Sequence, residues 1–190
     1  NAGLDPKQPF IIYLCSSPFI GRKEEKFVEQ WIQEIRGAAD PAVNQLGILI
    51  RPHPQNAEPW KVVDFSSYEN VSIWPREGAN PVHESSRSDF FDCIYHSEAV
   101  VGLNTSAFLE AGILGVPAFT VLSPEFRGTQ EGTLHFHYLL KKNGGLLHVS
   151  ENFEEHIAAL ASSQAHREAS RDAVRGFIGN FLRPHGIETP

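Results

Sequence analysis

The chain has 190 residues, and 16 Lys and Arg stand against 23 Asp and Glu, a formal charge of −7. Hydrophobic residues make up 41% and charged residues 21%, the mix of an ordinary globular domain with room for an appended terminal helix. The acidic balance argues against a general nucleic-acid binder, which carries a basic patch. No apolar run approaches the ~18 residues that span a bilayer, and Asn1 to Phe10 lacks the basic-then-apolar pattern of a signal peptide.

Two cysteines, Cys15 and Cys93, are too few for a disulfide scaffold, and each lies in an apolar stretch. They read as reduced core thiols. Methionine is absent even at position 1, so the chain reads as a cut or processed piece of a longer protein. Asn1-Ala2 is set aside from the fold as a remnant of the kind cloning leaves.

In chain order, short apolar runs alternate with amphipathic stretches. Phe10 to Cys15 is a β-rich run ended by Ser16-Ser17-Pro18. Glu24 to Arg36 places Phe27, Val28, Trp31, Ile32 and Ile35 on one helical stripe, and Asp40-Pro41 breaks it. Leu46 to Ile50 is a second strand, stopped by Arg51-Pro52-His53-Pro54, whose prolines hold the segment extended or turned. Gln55 to Glu69 is irregular, with Val62-Val63 as a short edge piece. Val71 to Trp74 is a third strand, followed by a Pro/Gly-rich loop through Pro81, and Asp89 to Ser97 is a helix.

Ala99 to Leu103 is a buried strand. Asn104-Thr105-Ser106 starts a helix that runs from Ala107 to Leu114 and closes at Gly115. Pro117 to Leu122 is a strand, Ser123 to Thr133 a polar loop, His135 to Lys141 a short helix, and Asn143-Gly144-Gly145 a turn. Leu146 to Val149 is the last strand, and a helix follows from Ser150 to Ala161. Gln164 to Leu182 is a terminal helix with Ala169, Val174, Phe177, Ile178 and Phe181 as its apolar positions, ended by Arg183-Pro184-His185-Gly186.

Strands alternating with helices imply βαβ units. Strands that are apolar throughout imply helices on both faces of the sheet. The expected fold is therefore α/β: a doubly wound, mainly parallel, Rossmann-like sheet. Ligands in such folds bind beyond the carboxyl ends of the strands. The residues there are Ser16 and Ser17, then Arg51 and His53, then Trp74-Pro75, then Asn104, Thr105 and Ser106. This set is polar and mostly neutral, with one cation and one histidine, and it holds no carboxylate cluster for a metal. The chemistry it suits is an anion, most simply a phosphate.

Each residue also has a plain structural reading. Asn104, Thr105 and Ser106 can surround phosphate oxygens at a helix start, although one of them suffices as a cap. Glu110, one turn further, can reach a ribose or stand in solvent. Arg51 offers a planar fork of donors and His53 a hydrogen bond or proton, or both sit in an ordinary loop. Arg127, Gln130, His135 and His137 remain open in the same sense. There is no GxGxxG, P-loop, GxSxG, CxxC or HExxH, and no metal or cofactor is expected. Two glycosylation sequons, at Asn70 and Asn104, match by chance composition.

Arg51-Pro52-His53-Pro54, together with Asn104-Thr105-Ser106-Ala107-Phe108-Leu109-Glu110-Ala111-Gly112-Ile113-Leu114-Gly115-Val116-Pro117, resembles the C-terminal half of GT-B fold glycosyltransferases. The related groups are bacterial capsule and surface-polysaccharide transferases, CDP-glycerol glycerophosphotransferases and the UDP-N-acetylglucosamine 2-epimerase group. The resemblance runs from the first strand to the terminal helix. It implies a nucleotide-sugar-binding domain over 3–162. The helix and tail over 163–190 would pack on that domain or cross to an N-terminal acceptor domain absent from this chain.

By the resemblance, Asn104, Thr105 and Ser106 would contact the donor diphosphate, Glu110 the ribose and His53 the phosphates. Ser16 and Ser17 would open the inter-domain cleft. The implied partner is a UDP- or CDP-linked sugar for surface or capsular polysaccharide synthesis, with a cytoplasmic location and membrane association only through the full-length protein. The epimerase-like signature is richer in Gly and Glu at this helix start. Without the acceptor half, which commonly supplies a catalytic base, the chain alone would be inactive or weakly active. Two other readings remain. An epimerase-like half would need a second carboxylate beside Glu110. A non-catalytic α/β module would have its crevice blocked by Trp60 or Trp74.

Overall fold

The computed structural model describes residues 2–182, 184 and 185. Six strands form one all-parallel sheet: β1 (Phe10–Leu14), β2 (Gly47–Arg51), β3 (Val71–Ile73), β4 (Val100–Val101), β5 (Ala118–Val121) and β6 (Leu147–Ser150). The helices are α1 (Glu24–Arg36), α2 (Pro41–Asn44), α3 (Glu84–Tyr95), α4 (Ala107–Ile113), α5 (Arg127–Gln130), α6 (Leu134–Leu139), α7 (Phe153–Ala161) and α8 (Ser163–Phe177), the last continuing as a π-helical turn over Ile178–Leu182. No helix among the described residues is long and apolar enough to cross a membrane.

The sheet order is β3-β2-β1-β4-β5-β6. The chain winds outward from β1 to β3, then crosses back to β4 on the other side of β1. Connections leave β1 and β4 in opposite directions, so a crevice opens between their carboxyl ends. Phe10 to Leu14 alternate between two cores. Ile11, Tyr13 and Cys15 face Phe27, Val28, Trp31, Ile32 and Ile35 of α1 and Leu160 of α7. Ile12 and Leu14 face Cys93 and Ile94 of α3, Phe108 and Ala111 of α4, Phe136 and Leu139 of α6, and Phe177 of α8. Trp31 and Ile32 are wholly buried. At about 1.5–3 kcal/mol for each large apolar side chain removed from water, that stripe docks α1. Both cysteines are buried and unoxidised.

Several boundaries differ from the sequence reading, each for a local reason. Asp40-Pro41 does not merely end a helix. The Asp40 carboxylate accepts the Ala42 N–H at 2.9 Å and Pro41 occupies the first helical position, so the pair starts α2. Val62-Val63 form no strand. Turns of 3-10 helix over Pro54–Asn56 and Glu58–Lys61 occupy this stretch, and Val62 is exposed. Helix α3 begins at Glu84, before the apolar positions that marked it, because its first turn carries only polar residues. The loop after β5 contains α5. The cap of α7 is Asn152, whose side chain accepts the Glu155 N–H, and not Ser150. Ala2 packs against the second core, so it belongs to the folded domain and not to a remnant. The Ala169 side chain, Arg183 and Gly186 lie outside the described residues.

Candidate functional site

The loop leaving β1 is organised by a buried carboxylate. Glu24, at the start of α1, accepts the Ser16 N–H at 2.7 Å, the Ser16 hydroxyl at 3.1 Å and the Tyr13 hydroxyl at 2.9 Å. Burial raises its pKa to about 7 against those three hydrogen bonds, which favour the charged form. Asn56 ties down the same loop by donating to the Ser16 and Gly21 carbonyls, and Thr129 donates to that of Ile20. Ser16 is therefore an internal strut, completely buried. Ser17, the next residue, reaches the crevice.

Arg51, the last residue of β2, is 4% exposed. Its Nη1 donates to Asp89 Oδ2 at 2.7 Å and contacts Cys93 Sγ at 3.3 Å, and its guanidinium lies over the Phe90 ring at 5.2 Å. Nη2 is buried without a protein acceptor. After Pro52, the His53 Nδ1 accepts the Gln55 N–H at 3.1 Å. A neutral ring must then carry its proton on Nε2. Partial burial lowers the His53 pKa, which favours that neutral form near pH 7.

Beyond β4, the Thr105 hydroxyl accepts the Ala107 N–H at 3.3 Å, and Ser106 makes no capping bond. Asn104 is turned inward: its amide nitrogen donates to the Thr129 carbonyl and to Thr133 Oγ1, both at 2.8 Å. Helix α4 has only seven residues, so its dipole is a minor attraction and the side chains carry the site. Gly102 allows this convergence, since a Cβ there would lie 2.8 Å from the Leu14 carbonyl oxygen.

These segments share one opening with two adjoining recesses. The first, about 190 Å³, brings together Arg51, His53, Thr105, Ser106 and Glu110 with apolar walls from Pro52, Pro54, Pro81 and Phe90. The second, about 310 Å³, is lined by Ser17, Phe19, Ile20, Asn104, Thr133 and His135. His53, Thr105 and Ser106 line both. Of the eight residues singled out in the sequence, seven reach the opening and Ser16 does not. Desolvation by the walls raises the Glu110 pKa. Glu110 is the single carboxylate among the described lining residues, and Trp60 and Trp74 line neither recess.

Thr133 and His135 line the second recess, Phe90 lines the first, and Asp89 pairs with Arg51 beside it; the sequence reading missed or left open all four. Asp89 and Phe90 carried a signal only as apolar-helix residues, and Thr133 sat in a featureless loop. Gln130 is structural: its side chain bonds Thr120 Oγ1, the Leu103 and Val121 carbonyls and the Ser123 N–H. Arg127 pairs with Glu131 on the surface, and His137 is exposed and outside the crevice. No group of three metal-ligating side chains occurs among the described residues.

A parallel sheet wound in this order with a crevice at its switch point defines a Rossmann-like architecture. Among solved structures it is the architecture of one half of a GT-B glycosyltransferase. The wall teichoic acid polymerase TagF matches over 95% of this chain and 40% of its own, with TM-score 0.63 and 16% identity. WaaG, a glycosyltransferase involved in lipopolysaccharide biosynthesis, matches over 97% and 45%, with TM-score 0.55 and 14% identity. TarM matches over 96% and 36%, with TM-score 0.51 and 11% identity. The chain thus spans less than half the length of each of these proteins. No family model and no curated protein sequence matches it.

Proposed function

We propose that the chain is the donor-binding half of a glycosyltransferase and holds the diphosphate and ribose of a nucleotide-activated sugar. The observation that carries this reading is the single opening in which Arg51, His53, Thr105, Ser106 and Glu110 converge on the carboxyl side of the sheet. Two hydroxyls, the His53 Nε2–H and the unpaired Arg51 Nη2 are donors suited to a phosphate. Glu110 is an acceptor suited to a ribose diol. The flanking prolines and Phe90 give a base an apolar wall.

In the transfer, the bond between the sugar and the diphosphate breaks and negative charge grows on the departing oxygen. Donors fixed in place stabilise that charge without reorganising. The acceptor hydroxyl forms the new bond to the sugar and gives its proton to a base of the companion half, which also supplies the opposite wall of the cleft. A lone Glu110 does not provide the carboxylate pair that an epimerase-like half requires. A TagF variant has been solved after a soak with CDPG, which favours CDP- and UDP-linked donors as first ligands. A cytoplasmic enzyme of surface-polysaccharide synthesis, reaching the membrane through its full-length form, follows from this reading.

Calorimetry of the 190-residue chain with CDP, UDP and their activated derivatives tests it. A folded chain that binds a nucleoside diphosphate in the micromolar to millimolar range, and binds it more weakly after Glu110→Gln, supports the proposal. Folded protein with no affinity for any nucleotide contradicts it.

A further inference from the structure

Resting on that reading, we infer that the second recess selects a neutral, hydroxyl-bearing group, with Asn104 Oδ1 as its fixed hydrogen-bond acceptor and Thr133 as the residue that fixes it. The recess has no Lys, Arg, Asp or Glu in its lining, so an anion placed there would meet no formal countercharge. Its polar residues are Ser17, Asn104, Thr105, Ser106, Thr133 and two histidines.

The orientation of Asn104 follows from a chain of donors and acceptors. The Thr133 hydroxyl donates to the Gln130 carbonyl at 3.1 Å, so Oγ1 is left as an acceptor. It accepts from Asn104 Nδ2 at 2.8 Å, and the Thr129 carbonyl, which can only accept, takes the other amide proton at 2.8 Å. A flipped amide would set oxygen against oxygen at the Thr129 carbonyl and would cost the Thr133 hydroxyl its bond to the Gln130 carbonyl. Asn104 is thus locked with Oδ1 turned away from them, 3% exposed and without any protein donor. His135 lines the same recess, and its Nε2 is likewise buried and unpartnered.

A buried carbonyl without a donor is costly and calls for a donor. Phosphate oxygens are acceptors and cannot supply one; an alcohol can. The first recess shows the opposite need, since its unpaired buried atom is the donor Arg51 Nη2. The two ends of the opening therefore differ in polarity: the Arg51 end takes the anion, and the Asn104 end takes the hydroxyls of the transferred polyol or sugar. Thr133 is a positioning residue in this scheme, acting through Asn104.

The test compares CDP-glycerol with the CDP ester of propanol, which lacks the free hydroxyls, on the unsubstituted chain by calorimetry. The hydroxylated compound is expected to bind about tenfold tighter, the worth of one buried hydrogen bond. Thr133→Val removes one of the two acceptors that hold the Asn104 amide and should lower the ratio toward one, and Thr133→Ser, which keeps the hydroxyl, should preserve it. Equal affinities on the unsubstituted chain, with CDP still bound, overturn this inference and leave the donor-half reading standing. If no nucleotide binds, that reading falls. Saturation-transfer NMR with free glycerol then decides the inference alone: transfer that is lost in Thr133→Val supports it, and no transfer overturns it.

Discussion

Arg51 and Asp89 are joined at 2.7 Å by one guanidinium nitrogen while the other, Nη2, stays buried and unpaired. A cation that is 4% exposed thus has a neutralising partner that is 39% exposed, and one donor left over beside the crevice. Removing either end of the pair has unequal consequences. Asp89→Ala leaves a buried charge without compensation and should destabilise the fold by roughly 2 kcal/mol, less than the ~3–5 kcal/mol for a fully buried pair. Arg51→Met keeps the contacts with Phe90 and Cys93 and leaves a carboxylate that water can reach, so its loss should be under about 1 kcal/mol. Urea unfolding of both variants checks this, and a costlier Arg51→Met would contradict it.

The backbone approach at Gly102 is a second point of sensitivity. A Cβ would meet the Leu14 carbonyl at 2.8 Å, and neither strand can yield without opening the β1–β4 pairing. Gly102→Ala should cost about 1–3 kcal/mol, as overpacking does, and should weaken nucleotide binding because the two loops that form the crevice move apart. Thermal unfolding together with calorimetry measures both effects. An unchanged melting midpoint would show that the approach is looser than described.

Two buried groups pull the pH dependence of stability in opposite directions. Folding raises the Glu24 pKa from 4.5 to about 7 by burial. Its contribution is therefore complete below pH 4.5 and lost as the pH rises to 7. Folding lowers the pKa of His156, buried against the Trp31 indole N–H, from 6.5 to about 4. That contribution is complete above pH 6.5 and lost as the pH falls to 4. Each amounts to about 3 kcal/mol over its window, and between roughly pH 4.5 and 6.5 the two slopes cancel. The unmodified chain should show nearly flat stability there. Glu24→Gln, with the His156 slope uncovered, should lose about 3 kcal/mol between pH 6.5 and 4. Urea midpoints across this range decide it, and a flat profile in Glu24→Gln would contradict the assignment.

Glu110 carries a prediction about the nucleoside. If its carboxylate accepts from a ribose hydroxyl, Glu110→Gln should weaken CDP or UDP binding about tenfold, as expected for a hydrogen bond to a charged group. The same variant should reduce discrimination against the 2′,3′-dideoxy compounds. Burial raises the Glu110 pKa, so affinity for the ribonucleotide should decline on mild acidification, before an exposed carboxylate would titrate. Calorimetry at several pH values checks both, and equal affinity for ribo and dideoxy forms would remove Glu110 from the ribose.

Sheet and helix order were legible in the sequence because apolar periodicity reports burial directly. Phe10 to Leu14 and the stripe from Phe27 to Ile35 fall where their spacing put them. Elements without apolar signal were not legible. The first turn of α3 and all of α5 hold no large apolar residue, so no burial periodicity marks them. At the site, residues directly following strands were found because topology alone brings strand ends together. The direction of each hydrogen bond was beyond reach. From the sequence Asn104 reads as a phosphate contact and Ser16 as an edge of the cleft, but Thr129 and Thr133 engage the Asn104 amide and Glu24 holds Ser16. These three partners are brought in by tertiary packing that no local pattern records.

The most direct trial of the account is amide chemical-shift mapping of the labelled chain titrated with CDP or UDP. Saturable shifts confined to His53, Thr105, Ser106, Glu110 and their neighbours around the opening are the predicted result. Shifts that gather instead at the larger cavity of about 730 Å³ between α4 and α8, or no saturable shifts at millimolar nucleotide, would contradict it.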